Sequence, residues 1–178
     1  AMIGWAVLQG VIAFVVVAAI FVGAIAQGMP EPEVRAFAFF SLVLGSAELL
    51  LLLHRGNVEV GSMGGAQIDQ FGNLNSSFIG DPARPKTRLP GTGGGNDISS
   101  LTAMIVAMKH EKRRFVEHVD FITSPGWLRG RTSRCESGLG VGGMFRVVTD
   151  LAVFDFDEDT RRMRAIALNP GVSCEQVQ

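Results

Sequence analysis

The first 30 residues of the chain contain no Asp, Glu, Lys, Arg or His, and this absence restricts the possible folds more than any other feature. Residues 4–27 are apolar apart from Gln9 and Gln27. At 1.5 Å per residue such a helix would be long enough to cross a bilayer core of about 30 Å. Apolar side chains occur at every position of a helical turn, which excludes an amphipathic surface helix. The pattern predicts a membrane-spanning helix over residues 4–27.

A second apolar segment covers residues 36–53, after a break at Gly28–Pro32. A signal peptide would be shorter, would begin with basic residues and would not be followed by a second span. The two segments therefore predict a transmembrane hairpin over residues 1–55, with a buried hairpin of a water-soluble protein as the alternative. Glu48 is the one carboxylate inside the second span, where it could line an ion pathway or lie near a helix end facing a partner helix.

Part of this region resembles a known membrane module. The segments Val7–Gly10, Ala26–Phe39 and Ser41–Gly45 are similar to a hairpin in the C-terminal membrane region of cation-transporting P-type ATPases. Those pumps also carry a phosphorylated Asp-Lys-Thr-Gly motif and a nucleotide-binding domain, and this sequence has neither. The resemblance therefore does not imply ion pumping.

From Gly56 onward the composition is that of an ordinary globular domain. Residues 56–178 hold 14 basic and 14 acidic residues, and this neutral balance gives no electrostatic reason to expect a nucleic-acid partner. Cys135 and Cys174 have no CxxC spacing, which argues against a zinc site or a disulfide framework and fits a reducing compartment.

The residue patterns of this second part predict an α/β domain of short elements. Alternating or continuous apolar runs predict strands, and Gly, Pro, Asn and Asp mark the turns between them. The predicted strands are Asn57–Gly61, a short element within Gly64–Asp69, Ala103–Met108, Val147–Phe156 and its hairpin partner Met163–Leu168, and the predicted turns are Phe71–Asn75, Asp157–Thr160 and Asn169–Val172. Ser173–Gln176 fits a capping box, which predicts that a helix begins there and that the natural chain continues beyond Gln178.

The segment Leu89–Asp97 carries four glycines in five positions. Glycine permits positive φ and lets backbone N–H groups approach a ligand closely. A helix opening at Ser99–Leu101 would attract anions at its N-terminus. The segment matches neither a Walker loop nor a GxGxxG fingerprint. Alone, it could be either a flexible glycine turn or a ligand cradle.

A basic segment follows the predicted strand Ala103–Met108. His110-Glu111 begins like a zincin helix, but no second histidine follows four residues after His110, so no metal site is predicted. The cluster of Lys109, Lys112, Arg113 and Arg114 could bind phosphate groups. It could equally be a solvated face whose charges pair with Glu111 and Glu117.

In this order, these segments resemble the β subunit of class I CoA-transferases of the glutaconate and 3-oxoadipate type. The resemblance covers residues 56–178 and implies an open α/β fold, an α partner subunit, and chemistry through a glutamyl-CoA thioester. Coenzyme A would be a substrate, exchanged between an acyl-CoA and a carboxylic acid, and no cofactor would be permanently bound. The expected architecture is a partial open α/β sheet domain, residues 56–178, truncated at both ends and preceded by the two-helix transmembrane hairpin, residues 1–55.

The family's glycine-rich loop lies near the thioester, and the resemblance carries that role to matching positions here. They are Gly91, Gly93, Gly94 and Asp97, and more weakly Gly64, Gly65, Ala66 and Gln67.

One departure from the family bears on catalysis. The family's catalytic glutamate lies upstream of the strand that matches Asn57–Gly61, where this chain has the apolar segments. Glu48 lacks the family's Glu-Ser/Gly setting and is not assigned the role. No nucleophile is named, and the chain is expected to be an inactive fragment or fusion. The alternative is a membrane-anchored, non-catalytic protein with a vestigial CoA-binding tail. In both interpretations residues 4–53 lie in a membrane and the C-terminal domain in the cytoplasm.

Overall fold

The computed structural model describes residues 46–177, of which those from Leu53 onward form one compact unit. The helices are α1 (Ser46–His54), α2 (Gly95–Leu101) and α3 (Ser133–Glu136), followed by a 3-10 helix at Cys174–Gln176. The strands are β1 (Val60–Met63), β2 (Gln67–Ile68), β3 (Leu74–Asn75), β4 (Phe78–Ile79), β5 (Thr87–Arg88), β6 (Ala103–Ala107), β7 (Gly143–Val148), β8 (Ala152–Phe156) and β9 (Met163–Leu168).

The main sheet has five strands in the order β1-β6-β7-β8-β9. Strands β1, β6 and β7 are parallel, whereas β8 and β9 are antiparallel additions. The connection from β1 to β6 contains α2, since two parallel neighbours need a crossover. Short turns connect β7 to β8 and β8 to β9, because antiparallel neighbours need no crossover. The predicted α/β class is confirmed, with a mixed sheet.

One face of this sheet carries the hydrophobic core. In β6 the side chains of Met104 and Val106 are fully buried, while Ala103 and Ile105 are half-buried on the other face. The strand is therefore buried more deeply on one face than on the other. The core consists of Ile68, Leu74, Met104, Val106, Met144, Val147, Ala152, Phe154 and Phe156. Helix α2 packs against β1 through Ile98, and a side chain at Gly61 would overlap with it.

The predicted hairpin of β8 and β9 is confirmed, with Ala152 opposite Leu168 and Phe156 opposite Met163. The single strand predicted over Val147–Phe156 is wrong, because the chain turns at Thr149–Leu151 and forms both β7 and β8. The hydroxyl of Thr149 accepts hydrogen bonds from the N–H groups of Leu151 (3.2 Å) and Ala152 (2.9 Å). These bonds stabilise a turn in which the chain reverses direction, so that β8 pairs with β7 in the antiparallel sense.

Two small ribbons precede α2 in the sequence. β2 pairs with β3 across the predicted Phe71–Asn75 turn, where Gly72 has φ +73°. The Asp69 carboxylate shapes this turn by accepting the N–H groups of Phe71 (2.9 Å) and Asn73 (3.0 Å). The other ribbon pairs β4 with β5. At the chain's end Ser173 and Gln176 form the predicted capping box around a short 3-10 helix.

Helix α2 begins earlier than predicted. Ser99–Leu101 end this helix, and its first residue is Gly95. The physical reason is the side chain and carbonyl of Thr92, which accept the N–H groups of Asn96 and Gly95 at 2.7 Å each. These bonds satisfy donors that a helix start otherwise leaves without partners, so the helix can begin directly after the glycines.

The predicted transmembrane hairpin is not supported by the part of the chain that is described. Residues 4–27, and residues 36–45 of the second span, lie outside it. The end of the second span falls in α1, whose nine residues cover about 14 Å. No helix within residues 46–177 is long and apolar enough to cross a bilayer. The division of the chain into residues 1–55 and 56–178 stays a prediction.

Candidate functional site

The glycine-rich segment lies at the carboxyl end of β1. Gly95 packs against the Met63 side chain at the end of β1 and against Ser124, so closely that a side chain at this position would overlap with Met63. From there α2 runs back along the sheet to the start of β6. In open α/β sheets ligands bind outside the carboxyl ends of parallel strands. The fold therefore places this segment where such a sheet binds ligands.

The glycines of this segment have backbone conformations that other residues rarely adopt. Gly91, Gly93 and Gly94 have φ values of +93°, +53° and +90°. A Cβ atom built on Gly91 or Gly93 would meet nothing within 4 Å. Crowding therefore does not require glycine at these two positions, whereas the left-handed conformation favours it. The open space leaves the loop accessible to a ligand.

Hydrogen bonds to Ser76 attach this open loop to the rest of the domain. The N–H of Gly91 donates to the carbonyl of Ser76 at 2.8 Å. The Ser76 hydroxyl donates in the opposite direction to the carbonyl of Gly91 at 2.9 Å. The N–H of Ser76 donates in turn to the hydroxyl of buried Thr123 at 3.0 Å. Sequence reasoning missed both Ser76 and Thr123.

The second predicted group, Gly64–Gln67, leaves the same end of β1 and so lies beside the first group. Much of its polar surface is already used inside the domain. Ala66 donates its N–H to the carbonyl of Asn75 at 2.9 Å. The Gln67 side chain is buried, and its oxygen accepts from Asn75 Nδ2 (2.7 Å) and Asp120 N (3.2 Å). The Gln67 amide therefore has a clear structural role, and its predicted role in binding stays a prediction.

Asp97 is in the first turn of α2, with its side chain partly exposed. Its carboxylate lies 3.4 Å from Nε2 of His54, the last residue of α1. The two side chains are 41% and 56% exposed, so this is a solvent-screened contact rather than a strong ion pair. The predicted role of Asp97 in binding stays a prediction.

Helix α2 is held at its C-terminal end by Arg134, whose guanidinium is buried. One terminal nitrogen donates to the carbonyls of Ser99 (2.8 Å) and Ser100 (3.2 Å), and the other to the carbonyls of Pro125 and Gly126. Burial lowers the pKa of Arg134 below its usual value. Because α2 has only seven residues, its dipole is small, and the predicted anion attraction at its N-terminus stays a prediction.

Two neighbouring carboxylates pair with three of the four basic side chains of the basic segment. Glu111 accepts from Arg113 (2.6 Å) and Arg114 (3.1 Å), and the hydrogen bond from Arg113 lowers the pKa of Glu111. Lys109 pairs with Asp150 at 3.0 Å. The geometry favours a solvated, paired face over a phosphate site. Arg114 also donates to the carbonyl of Gly65 at 3.1 Å, which joins this segment to the loop after β1.

A cavity of about 280 Å³ lies against the hairpin of β8 and β9 and begins at Ile68, directly after the second glycine segment. Its lining is mostly apolar and includes the buried carboxylate of Asp69. Burial raises the pKa of Asp69, while hydrogen bonds from Asn73 oppose the rise. The lining residues are Ile68, Asp69, Gln70, Phe115, Val116, Phe154, Met163, Arg164 and Ala165. None of the predicted site residues is among them.

The tripeptide Asn75-Ser76-Ser77, which includes the missed Ser76, fits a glycosylation sequon by chance, and the Asn75 side chain is fully buried. No sequence signal marks Thr123. Asn75 donates to the carbonyl of Phe78 at 2.6 Å and accepts from the N–H of Ser77 at 3.0 Å. The tripeptide is thus an internal polar anchor. Glu48, which the sequence left without a role, lies in α1 with its side chain outside the described part.

Comparison with known proteins gives a consistent result. The family model for coenzyme A transferase matches residues 17–178. The β subunit of glutaconate CoA-transferase from Acidaminococcus fermentans is 48% identical over 147 residues, which cover 82% of this chain and 52% of that protein. The β subunit of 3-oxoadipate CoA-transferase from Pseudomonas knackmussii is 39% identical over 126 residues, covering 70% and 48%. The chain thus spans about half the length of the curated relatives it matches.

A solved structure agrees with these sequence matches. The glutaconate coenzyme A-transferase of Acidaminococcus fermentans superposes with a TM-score of 0.70 at 41% identity, covering 76% of this chain and 54% of that one. Identity at this level supports common descent as well as a common fold.

The family match corrects two predictions about the N-terminal part. It begins at residue 17 and so includes most of the segment that resembled P-type ATPases, and that resemblance is not supported. The predicted membrane localisation is wrong, because the matched proteins are CoA-transferase subunits and no helix within residues 46–177 can span a bilayer.

Proposed function

Because this chain belongs to the coenzyme A transferase family, we propose that it acts with an α subunit to move coenzyme A from an acyl-CoA to a carboxylic acid. The chain is a β-subunit-like member, similar to the β subunit of glutaconate CoA-transferase. The acids for which its two relatives are named, glutaconate and 3-oxoadipate, are both dicarboxylates. We therefore propose a small dicarboxylic acid as the acceptor.

The observation that carries this proposal is the open glycine loop at the end of β1. Gly91, Gly93 and Gly94 have positive φ, and the space beside Gly91 and Gly93 is free of other atoms. A thioester carbonyl could approach the backbone there without displacing a side chain. Backbone N–H groups that point at a developing oxyanion stabilise it strongly, because they are already oriented before the reaction.

In this proposal the described domain supplies binding and charge stabilisation, and a carboxylate supplies covalent catalysis. The carboxylate would attack the acyl-CoA carbonyl, expel the CoA thiolate and form an acyl-glutamyl anhydride. The thiolate would then attack the glutamyl carbonyl of the anhydride, release the first acid and leave a glutamyl-CoA thioester. The second acid would reverse these steps and depart as the new acyl-CoA.

The first test is binding of coenzyme A to the full chain, measured by isothermal titration calorimetry. We expect one site and a clear loss of affinity when Gly93 is replaced by Val, which places a branched side chain in the open space of the loop. Wild-type protein that shows no heat of CoA binding, with or without an α subunit, would contradict the proposal.

The second test addresses catalysis. The chain would be combined with the α subunit of the Acidaminococcus fermentans enzyme and assayed for transfer of CoA from acetyl-CoA to glutaconate, a dicarboxylic acceptor. A non-catalytic CoA-binding chain is the alternative function, since no glutamate of this chain has been assigned as the nucleophile. Borohydride reduction separates the two, because a glutamyl-CoA thioester is reduced to an alcohol that mass spectrometry locates in the chain. A reduced glutamate supports the transferase, and CoA binding without one supports the alternative.

A further inference from the structure

We propose that Thr123 is a positioning residue, whose hydroxyl holds the glycine loop in its binding conformation by acting through Ser76. The inference rests on the proposed function, since the loop is taken as the CoA-binding element. Thr123 touches neither Gly91 nor Gly93 in any hydrogen bond of the described residues. Its effect on the loop must therefore pass through the backbone and side chain of Ser76.

Packing does not fix the position of the glycine loop. A Cβ atom at Gly91 or Gly93 would find no neighbour within 4 Å, so this stretch has little contact with the core. Its position therefore depends on hydrogen bonds. Ser76 makes two of them to Gly91, one through its carbonyl at 2.8 Å and one through its hydroxyl at 2.9 Å.

Ser76 is itself held by Thr123. The Thr123 hydroxyl accepts the N–H of Ser76 at 3.0 Å and shares a 2.7 Å hydrogen bond with the hydroxyl of Ser77. Ser77 in turn accepts the N–H of Leu89 through its carbonyl at 2.9 Å. The Thr123 hydroxyl thus holds both Ser76 and Ser77, the two residues whose carbonyls accept the N–H groups of Gly91 and Leu89.

Thr123 is a rigid anchor. Its side chain is 7% exposed, and its N–H donates to the carbonyl of Leu74, a fully buried core residue, at 2.9 Å. The neighbouring Ser124 exchanges hydrogen bonds with Leu74 in both directions and packs against Gly95 at the other end of the glycine segment. The Thr123–Ser124 pair therefore supports both ends of the loop.

The test compares Thr123→Val, which keeps the shape and removes the hydroxyl, with Thr123→Ser, which keeps the hydroxyl. Thr102→Val is the matched control. Thr102 is also buried, but it follows the C-terminal end of α2, away from the glycine loop, and donates its hydroxyl to the carbonyl of Ile98. Two quantities are measured on the full chain. They are amide hydrogen exchange at Gly91 and Leu89, and the Kd for coenzyme A.

Thr123→Val removes the hydrogen bonds of this hydroxyl to Ser76 and Ser77 and a longer one, 3.4 Å, to Asn75 Oδ1. We therefore expect exchange at Gly91 and Leu89 to rise about tenfold or more, and the Kd for coenzyme A to rise by a similar factor. Thr123→Ser should restore both values. Thr102→Val should change the amide exchange rates and the Kd by no more than about twofold. This should hold even if it lowers the melting temperature as much as Thr123→Val does. If Thr123→Val fails to fold, Ser76→Ala, which removes only the hydroxyl bond to Gly91, should raise exchange at Gly91 severalfold.

The two readouts separate this inference from the proposed function. Unchanged exchange at Gly91 in Thr123→Val, or in Ser76→Ala if the first variant does not fold, overturns the inference. An unchanged Kd in a variant whose loop exchanges faster also overturns it. Wild-type chain that does not bind coenzyme A overturns the proposed function instead, and hydrogen exchange alone then decides whether Thr123 positions the loop.

Discussion

Gly72 and Gly126 lie with their backbones in direct contact. A Cβ atom on Gly126 would overlap with the carbonyl group of Gly72. The side-chain carbonyl of Asn73 also holds Gly126 in place by accepting its N–H at 3.0 Å. We therefore predict that Gly126→Ala destabilises the domain by about 2–4 kcal/mol, because the backbones must separate. Gly140→Ala is the control, since a Cβ there meets nothing within 4 Å. Equal unfolding midpoints in urea for the two variants would show that the contact tolerates a methyl group.

Arg134 joins the end of α2 to two loops through its buried guanidinium. It donates to five backbone carbonyls, which belong to Ser99, Ser100, Pro125, Gly126 and Val141. Arg134→Met keeps most of the apolar stem but leaves these carbonyls without their donor, so we predict a loss of about 3–5 kcal/mol. Chemical denaturation measures it. Arg129→Met, on the exposed surface, should stay within about 0.5 kcal/mol of wild type, and a similar loss there would refute the argument.

The carboxylate of Asp150 gives a pH-dependent contribution to stability. It accepts the N–H of His110 at 2.7 Å and the ammonium of Lys109 at 3.0 Å, and these bonds lower its pKa to about 2. Because the folded pKa lies below the unfolded value, the contribution is complete above about pH 4 and is lost as the pH falls towards 2.

We predict that Asp150→Asn melts at a lower temperature than wild type at pH 7 and that this difference shrinks as the pH is lowered from 5 to 3. Thermal unfolding followed by circular dichroism measures both curves. Asp159→Asn, in an exposed turn, controls for the change in net charge. A difference that stays constant or grows towards pH 3 would contradict the assigned hydrogen bonds.

The glycine loop can be tested without large changes in stability. Gly93 and Gly138 both have positive φ, +53° and +81°, and a Cβ on either meets nothing within 4 Å. Replacement by Ala therefore costs each about 1 kcal/mol of backbone strain. Only Gly93 belongs to the proposed CoA loop, so we predict that Gly93→Ala raises the Kd for coenzyme A about tenfold or more and that Gly138→Ala leaves it unchanged. Calorimetric titration of both variants with coenzyme A measures the two Kd values. An equal rise in both would mean that backbone strain, rather than loss of the loop's contact with coenzyme A, weakens binding.

Local chemistry explains which parts of the fold were predictable. The β8 and β9 hairpin follows from alternating side chains on both sides of an Asp-rich turn, in which the N–H and hydroxyl of Thr160 both donate to Asp157 Oδ1 at 2.8 Å. The turn after Asp69 and the capping box at Ser173 follow from side chains that bond their own neighbours in sequence. The strand break at Thr149 was missed because apolar residues on both sides continue the pattern.

The sequence alone predicted the α/β class and the glycine segment, because periodicity and turn chemistry act over a few residues, and it pointed to the family through a resemblance. It misjudged the N-terminal apolar residues, since an apolar run reports only that side chains avoid water, and a bilayer and a protein interior satisfy that demand equally. Only the tertiary structure showed how the glycine loop is held. Gly91 depends on Ser76, 15 residues away, and Ser76 depends on Thr123, 47 residues away. No local pattern encodes such bonds, because they form only once the strands have brought distant segments together.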